Sequence, residues 1–194
     1  MKYLYILFAS VLFVSACKKN KEAKIYNENN TNVVNGIVFD IYEKPINGIY
    51  KTYYTNGNVK MEMSAKNGIP DGEGQFYDEN GNLQYSGTFE EGKINGKFYQ
   101  YYEDGNVHNE LNYINGIQSG AQILYDAKGQ ISAEVLYDKN KAISGYVLIE
   151  GEKIELDADE LKSLSTVFED EQEKISNPLT KEDAEKKENE LPSD

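Results

Sequence analysis

Glycine returns in this chain at an interval of 24 residues, and that interval limits the fold more than any other feature. Gly48, Gly72, Gly96 and Gly120 form one column and Gly57, Gly81, Gly105 and Gly129 a second. Gly68, Gly92 and Gly116 form a third, which Asn140 completes, and Tyr53, Tyr77, Tyr101 and Tyr125 keep the same step. A fixed period of this length marks an array of equal supersecondary units, each too small to bury its own apolar face. Asn-Gly or Asp-Gly stands at 35–36, 47–48, 56–57, 67–68, 80–81, 95–96, 104–105 and 115–116. These pairs read as hairpin turns, because both residue types tolerate the positive φ of a tight type I′ turn. The short segments between them are rich in Tyr, Phe, Val and Ile, the residues of strands.

Each unit therefore holds two strands and two turns. The first strands are expected at 49–55, 73–79, 97–103 and 121–127, the second at 59–65, 83–89, 107–113 and 131–137. In the second strands, three columns share a parity and are apolar or aromatic: Val59/Leu83/Val107/Ile131, Met63/Gly87/Leu111/Val135 and Ala65/Phe89/Tyr113/Tyr137. The other parity carries Lys60, Gln84, His108 and Ser132 with Glu62, Ser86, Glu110 and Glu134. This is the alternation of a sheet buried on one face. In the first strands, Tyr50, Tyr54, Phe98 and Tyr102 lie opposite in parity to the Tyr53 column. They are candidates for an exposed, partner-binding aromatic surface. The competing reading has this second face partly covered by the C-terminal helix.

With these columns in view, Tyr85-x-Gly87, Gly92 and Gly96-x-Phe98 resemble the MORN repeat, and Asp71-Gly72-Glu73-Gly74 repeats its terminal Gly-x-Gly. The elements Asn56 to Glu62 and Asp104 to Glu110 are similar to the bacterial MORN-variant branch, whose members are often described as antitoxins. The resemblance implies an all-β repeat array over 35–148, an elongated, twisted antiparallel sheet of stacked hairpins with a short C-terminal α-helix. It brings no catalytic residues. Ala65 and Gln122 depart from its pattern, and the fourth unit has Lys128-Gly129 and Asn140 in its turns, as a terminal unit would.

The flanks are of a different kind. Lys2 followed by an apolar run from Tyr3 to Val14 has the layout of a secretory signal and is too short for a comfortable membrane span. Val14-Ser15-Ala16-Cys17 resembles the lipobox of bacterial lipoproteins, which implies removal of residues 1–16 and a lipid on the thiol of Cys17, the chain's one cysteine. Lys18 after that Cys, under the same family's sorting rule, implies the outer membrane if the host has two membranes. Residues 17–34 are polar and expected as a flexible tether. Beyond the array, 149–175 is expected as a last hairpin turning at Glu150-Gly151 and then an amphipathic helix. Asp157 stands at its N-cap, with Leu161, Leu164, Val167 and Phe168 on one stripe. Residues 176–194 are polar and charged and read as a disordered tail. From Glu150 onward the chain has 16 acids and 6 lysines, a net −10 out of −13 for the whole chain.

The acidic balance and the absence of arginine argue against a nucleic-acid partner and against bidentate phosphate clamps. One Cys and one His leave no donor set for a zinc site. No nucleophile elbow, metal helix or strand-to-helix phosphate loop occurs, and His108 falls on an exposed-face parity. Neither enzyme activity nor a small-molecule cofactor is expected. The expected role is that of a lipid-anchored envelope protein binding a protein partner through its sheet, in the manner of an antitoxin or immunity component. A membrane-apposed spacer and a glycan-binding surface are the alternatives.

Overall fold

The computed structural model describes residues 23–165. The expected signal segment, Cys17, the acidic tail and the end of the expected helix lie outside them. Fourteen strands follow in order: β1 (Ile25–Asn27), β2 (Thr31–Val34), β3 (Ile37–Asp40), β4 (Gly48–Tyr53), β5 (Val59–Lys66), β6 (Ile69–Tyr77), β7 (Leu83–Glu90), β8 (Lys93–Tyr101), β9 (Val107–Ile114), β10 (Ile117–Gln118), β11 (Gly120–Tyr125), β12 (Ile131–Asp138), β13 (Lys141–Ile149) and β14 (Glu152–Glu155). A short helix, α1, covers 158–165.

From β4 to β14 the strands lie side by side in chain order, with the short β10 paired only to β9. At the β4 edge, β1 adds in parallel, Ile25 opposite Ile49. Eleven strands in line at ~4.8 Å make a sheet about 50 Å long. It is the expected all-β array of stacked hairpins. One boundary differs. Residues 25–34, expected within the tether, form β1 and half of the β2–β3 hairpin. Asn27 and Asn30 make this local structure, since the Asn27 N–H donates to Asn30 Oδ1 at 2.8 Å and Thr31 Oγ1 donates to the Asn27 carbonyl at 2.7 Å. Val38 seals the hairpin to the array, with its N–H on the Gly68 carbonyl at 2.8 Å. Polar composition hid a segment that local side-chain bonds hold in place.

The turns are of two kinds, not one. At 67–68, 91–92, 115–116 and 139–140 both residues have positive φ, the type I′ signature. At Gly57, Gly81, Gly105 and Gly129 the glycine alone is positive, and its N–H returns to the residue three before it. This is a type I turn closed by a glycine at positive φ, and the register shift of each of these hairpins lies further in, at a bulge where Lys60, Gln84, His108 and Ser132 have no partner in the ladder. Asn47-Gly48 and Asn95-Gly96, expected as turns, are not hairpin tips. Gly48 opens β4, and Asn95-Gly96 lies inside β8, where a register shift bends the strand.

That bend sets the architecture. The arms of successive units stack through a ladder of N–H donors: Gly68 to the Ile46 carbonyl, Gly92 to Pro70, Gly116 to Ile94 and Asn140 to Gln118, all at 2.7–2.9 Å. Positive φ is common to this column, and at Gly68 a close approach adds to it. The Gly68 φ is +79°, and a Cβ there would stand 2.6 Å from the Val38 carbonyl oxygen. Asn140 occupies the last place at φ 66°, as asparagine is able to do.

The core lies on one face of the sheet, the inner face. Tyr50, Met61, Met63, Phe89, Ile94, Phe98, Leu111 and Tyr113 form its main cluster, with Val38 and Ile46 from the leading segment. Val135, Tyr137 and Ala142 form a separate cluster, closed by Leu156 and by Leu161 and Leu164 of α1. Asp157 caps α1 as expected, its Oδ1 accepting from the Asp159 and Glu160 N–H groups while Glu160 Oε2 accepts from the Asp157 N–H. Of the three apolar columns, Val59/Leu83/Val107/Ile131 is only half-buried, with Ile131 exposed. The bulge at the next residue takes this column out of the parity of the core positions and sets it opposite Tyr53, Tyr77, Tyr101 and Tyr125.

Burial of the Tyr137 phenol pushes its pKa up to about 12. The folded value exceeds the ordinary 10.0, so the protonated group contributes stability in full below pH ~10 and loses it as pH rises toward 12. Urea denaturation of the wild type should therefore show a falling midpoint between pH 10 and 12, and Tyr137→Phe should flatten that alkaline limb. Equal slopes for both proteins would refute this origin.

Candidate functional site

Pairing fixes which side chains the array displays. Directly opposed residues run across the outer face as one row: Asn27, Lys51, Glu62, Gln75, Ser86, Tyr99, Glu110, Ile123, Glu134, Tyr146 and Glu155. Two residues along each first strand lies the tyrosine column Tyr53, Tyr77, Tyr101 and Tyr125, half-buried on the same face. The row and the column make a band of aromatic, amide and charged groups that runs the length of the sheet.

Within the band the polar tips hold one another. Lys51 Nζ lies 2.6 Å from Glu62 and Lys97 Nζ 2.5 Å from Glu110. The carboxylate in each pair raises its lysine's pKa through the hydrogen bond. The Tyr77 hydroxyl donates to Gln75 Oε1 at 2.7 Å, and the Ser86 and Tyr101 hydroxyls lie 2.8 Å apart. The Tyr99 and Tyr101 rings stand 6.4 Å apart, tilted. Toward the β14 edge, Tyr146 donates to Glu134 at 3.0 Å, and the Lys153 ammonium sits 4.3 Å from the Tyr146 ring centroid. Cross-strand pairs of this type each contribute a few tenths of a kcal/mol to about 1 kcal/mol, and they hold the side chains in one orientation.

The four aromatic candidates divide differently from the expectation. Tyr50 is 3% exposed and Phe98 2% exposed, so neither belongs to a surface. Antiparallel pairing places Tyr50 opposite Met63 and Phe98 opposite Leu111, on the core side. Phe98 stacks on Tyr85 and meets Tyr113 edge-on, with centroids 6.0 and 6.1 Å apart. Tyr54 and Tyr102 are half-buried at the turns and act as clips between units. Their hydroxyls donate to the Tyr77 and Tyr125 carbonyls at 2.7 and 2.8 Å. Burial raises the Tyr54 pKa. His108 lies on the outer parity as expected, but it is half-buried, its ring 4.3 Å from that of Tyr102. The residues missed were Lys51, Tyr99, Lys97 and Tyr146. The signal for them was the hairpin register, because the strand opposite a buried Met63 or Leu111 must turn its Tyr50 or Phe98 inward and its neighbours outward.

Among the described residues, no group of three or more His, Cys, Asp or Glu side chains is placed to hold a metal ion. No described helix is long and apolar enough to cross a membrane.

A one-layer row of stacked hairpins with a continuous displayed face defines a class, the β-hairpin repeat array. More particularly, three consecutive units, residues 46–67, 70–91 and 94–115, match the MORN repeat variant family. No curated protein matches the chain. Among solved structures, the chain is similar to the Glycosylation Associate Protein (Gap123) complex from Streptococcus agalactiae, at 17% identity and a TM-score of 0.39, over 77% of this chain and 27% of that one. It is also similar to TarM, at 18% identity and a TM-score of 0.23, over 64% of this chain and 21% of that one. A mutant of S. aureus TarM, solved with fondaparinux, alpha-GlcNAc-glycerol and UDP, matches at 17% identity and a TM-score of 0.23, over 64% and 21% of the two chains. The chain thus spans about a quarter of the length of the solved structures it matches.

Proposed function

We propose that this chain is a non-catalytic, lipid-anchored envelope protein, held by Cys17, that binds a protein partner along the outer face of its sheet. The observation that carries the binding reading is the ordered band of tyrosines interleaved with Lys–Glu pairs from Lys51 to Tyr146. Tyrosine with pre-positioned charge is the composition of a protein-contact surface, offering large rigid area at low entropic cost. The MORN-variant match supports a repeat-based binding role, and an antitoxin or immunity role is one specific form of it.

A photo-crosslinking amino acid at Tyr99 in the full chain tests the surface. One protein should be captured there and from Tyr125, and not from the turn residue Lys128. Tyr99→Ala with Tyr101→Ala should abolish saturable binding of that purified protein while the melting temperature moves little. Binding of that protein that persists equally in the double variant would overturn the assignment of this face.

A further inference from the structure

We propose that the β1 end of the array rests on an anionic lipid surface through Val34, Ile41 and Tyr42, so that the β14 end points away from the membrane. This rests on the anchoring of Cys17 proposed above.

Three observations lead to it. First, the leading hairpin has a sealed side and an open side. Val38 is fully buried and Val33 packs against the core, so on β2–β3 the next residue, Val34, faces away and is 53% exposed. The turn after β3 adds Ile41 and Tyr42, 64% and 74% exposed, and Tyr42 is held by its N–H on Asp40 Oδ1 at 2.9 Å. These are large apolar groups at the terminal layer of the array, where no further unit stacks. Such exposure calls for an occupant, and since Ile149 and Ile154 at the β14 end are also exposed, at 56% and 46%, reach and charge decide which end meets lipid.

Second, reach selects the occupant. Seven residue-to-residue steps lead from Cys17 to Lys24, which leads into β1. Fully extended they span at most about 25 Å, against about 50 Å for the array. A lipid on Cys17 therefore keeps the β1 end close to the bilayer.

Third, charge agrees. Residues 18–51 carry six lysines and four acids, whereas 149–165 at the opposite end carry two lysines and six acids. An anionic headgroup layer attracts the first end and repels the second. Shallow insertion of a few apolar side chains flanked by lysines is the way a folded domain settles on such a surface.

The chain contains no tryptophan, so Tyr42→Trp and Ile154→Trp are each sole reporters in the full-length lipidated protein. Reconstituted in vesicles containing anionic lipid and lipid with brominated acyl chains, the Tyr42→Trp protein should shift its emission to the blue and be strongly quenched. The Ile154→Trp protein should be quenched little. Equal quenching of the two overturns the orientation. So does a Tyr42→Trp protein that co-floats with vesicles yet is not quenched, a result that leaves the anchor standing. A blue shift without lipid that grows with protein concentration assigns the surface to a second copy instead, and overturns the proposal. If co-flotation is absent, or is unchanged by Cys17→Ser, the anchor reading fails and this inference falls with it.

Discussion

Phe98→Ala is expected to lower the melting temperature by roughly 10–15 °C, whereas Tyr99→Ala, one residue along, should change it by only a few degrees. Phe98 is 2% exposed and lies between Tyr85 and Tyr113 at the middle of the main core cluster. The backbone opposite has been shaped to it. Gly87 pairs with Phe98, and a Cβ at Gly87 would lie 2.5 Å from the Phe98 ring. Truncation thus removes the ring from a slot whose far wall is bare backbone and cannot fill in. Deletion of a buried aromatic side chain costs about 3–5 kcal/mol when the surroundings do not collapse. Repeat arrays transmit such a loss to neighbours, because each unit is stabilised by the next. Thermal denaturation followed by far-ultraviolet circular dichroism measures the difference. A comparable loss from Tyr99→Ala would mean that the two faces have been assigned in reverse.

This pair of residues also shows what the amino-acid pattern could carry. The period of 24 was legible because every turn position demands a residue able to hold positive φ, and those residues are few. The second strands were legible because Met63, Leu111 and Val135 leave little choice of buried face. The first strands were not, because both parities carry tyrosine: Tyr53 and Tyr54, Tyr77, Tyr101 and Tyr102. Tyrosine suits a core, a rim and an interface equally, so composition does not orient it. Only the cross-strand partner does, and it is Met63 and Leu111 that turn Tyr50 and Phe98 inward. The β1 to β2 segment was illegible for another reason. Its strands are three and four residues long, and their order depends on Val38 meeting the Gly68 carbonyl in a different unit.

Gln122→Ala is expected to cost roughly 2–5 kcal/mol and to uncouple the two ends of the array. Gln122 departs from the repeat pattern, and the structure gives the departure a role. It is the middle member of a buried amide chain, in which Gln118 Nε2 donates to Gln122 Oε1 and Gln122 Nε2 donates to Asn109 Oδ1, each at 3.1 Å. Gln118 is 1% exposed, and its Oε1 has no partner among the described residues. The chain lies between the main apolar cluster, which ends at Leu111 and Tyr113, and the cluster of Val135, Tyr137 and Ala142 under α1. Truncating the middle residue removes the partners of Gln118 Nε2 and Asn109 Oδ1 and leaves a cavity between them. Both penalties fall on the junction of the two clusters, so β12, β13 and α1 should exchange amide hydrogens at a lower opening free energy than β5 to β9. Hydrogen exchange with mass spectrometry would show that separation, and uniform acceleration along the array would exclude it. The combined variant Asn109→Leu, Gln118→Leu and Gln122→Leu supplies the opposite test. It removes every buried amide at once and joins the clusters through apolar contact, so it should be near neutral or stabilising, because no polar group is left unpaired. The amide chain would then stand as a device that keeps two cores distinct, at a cost in stability the array does not otherwise require.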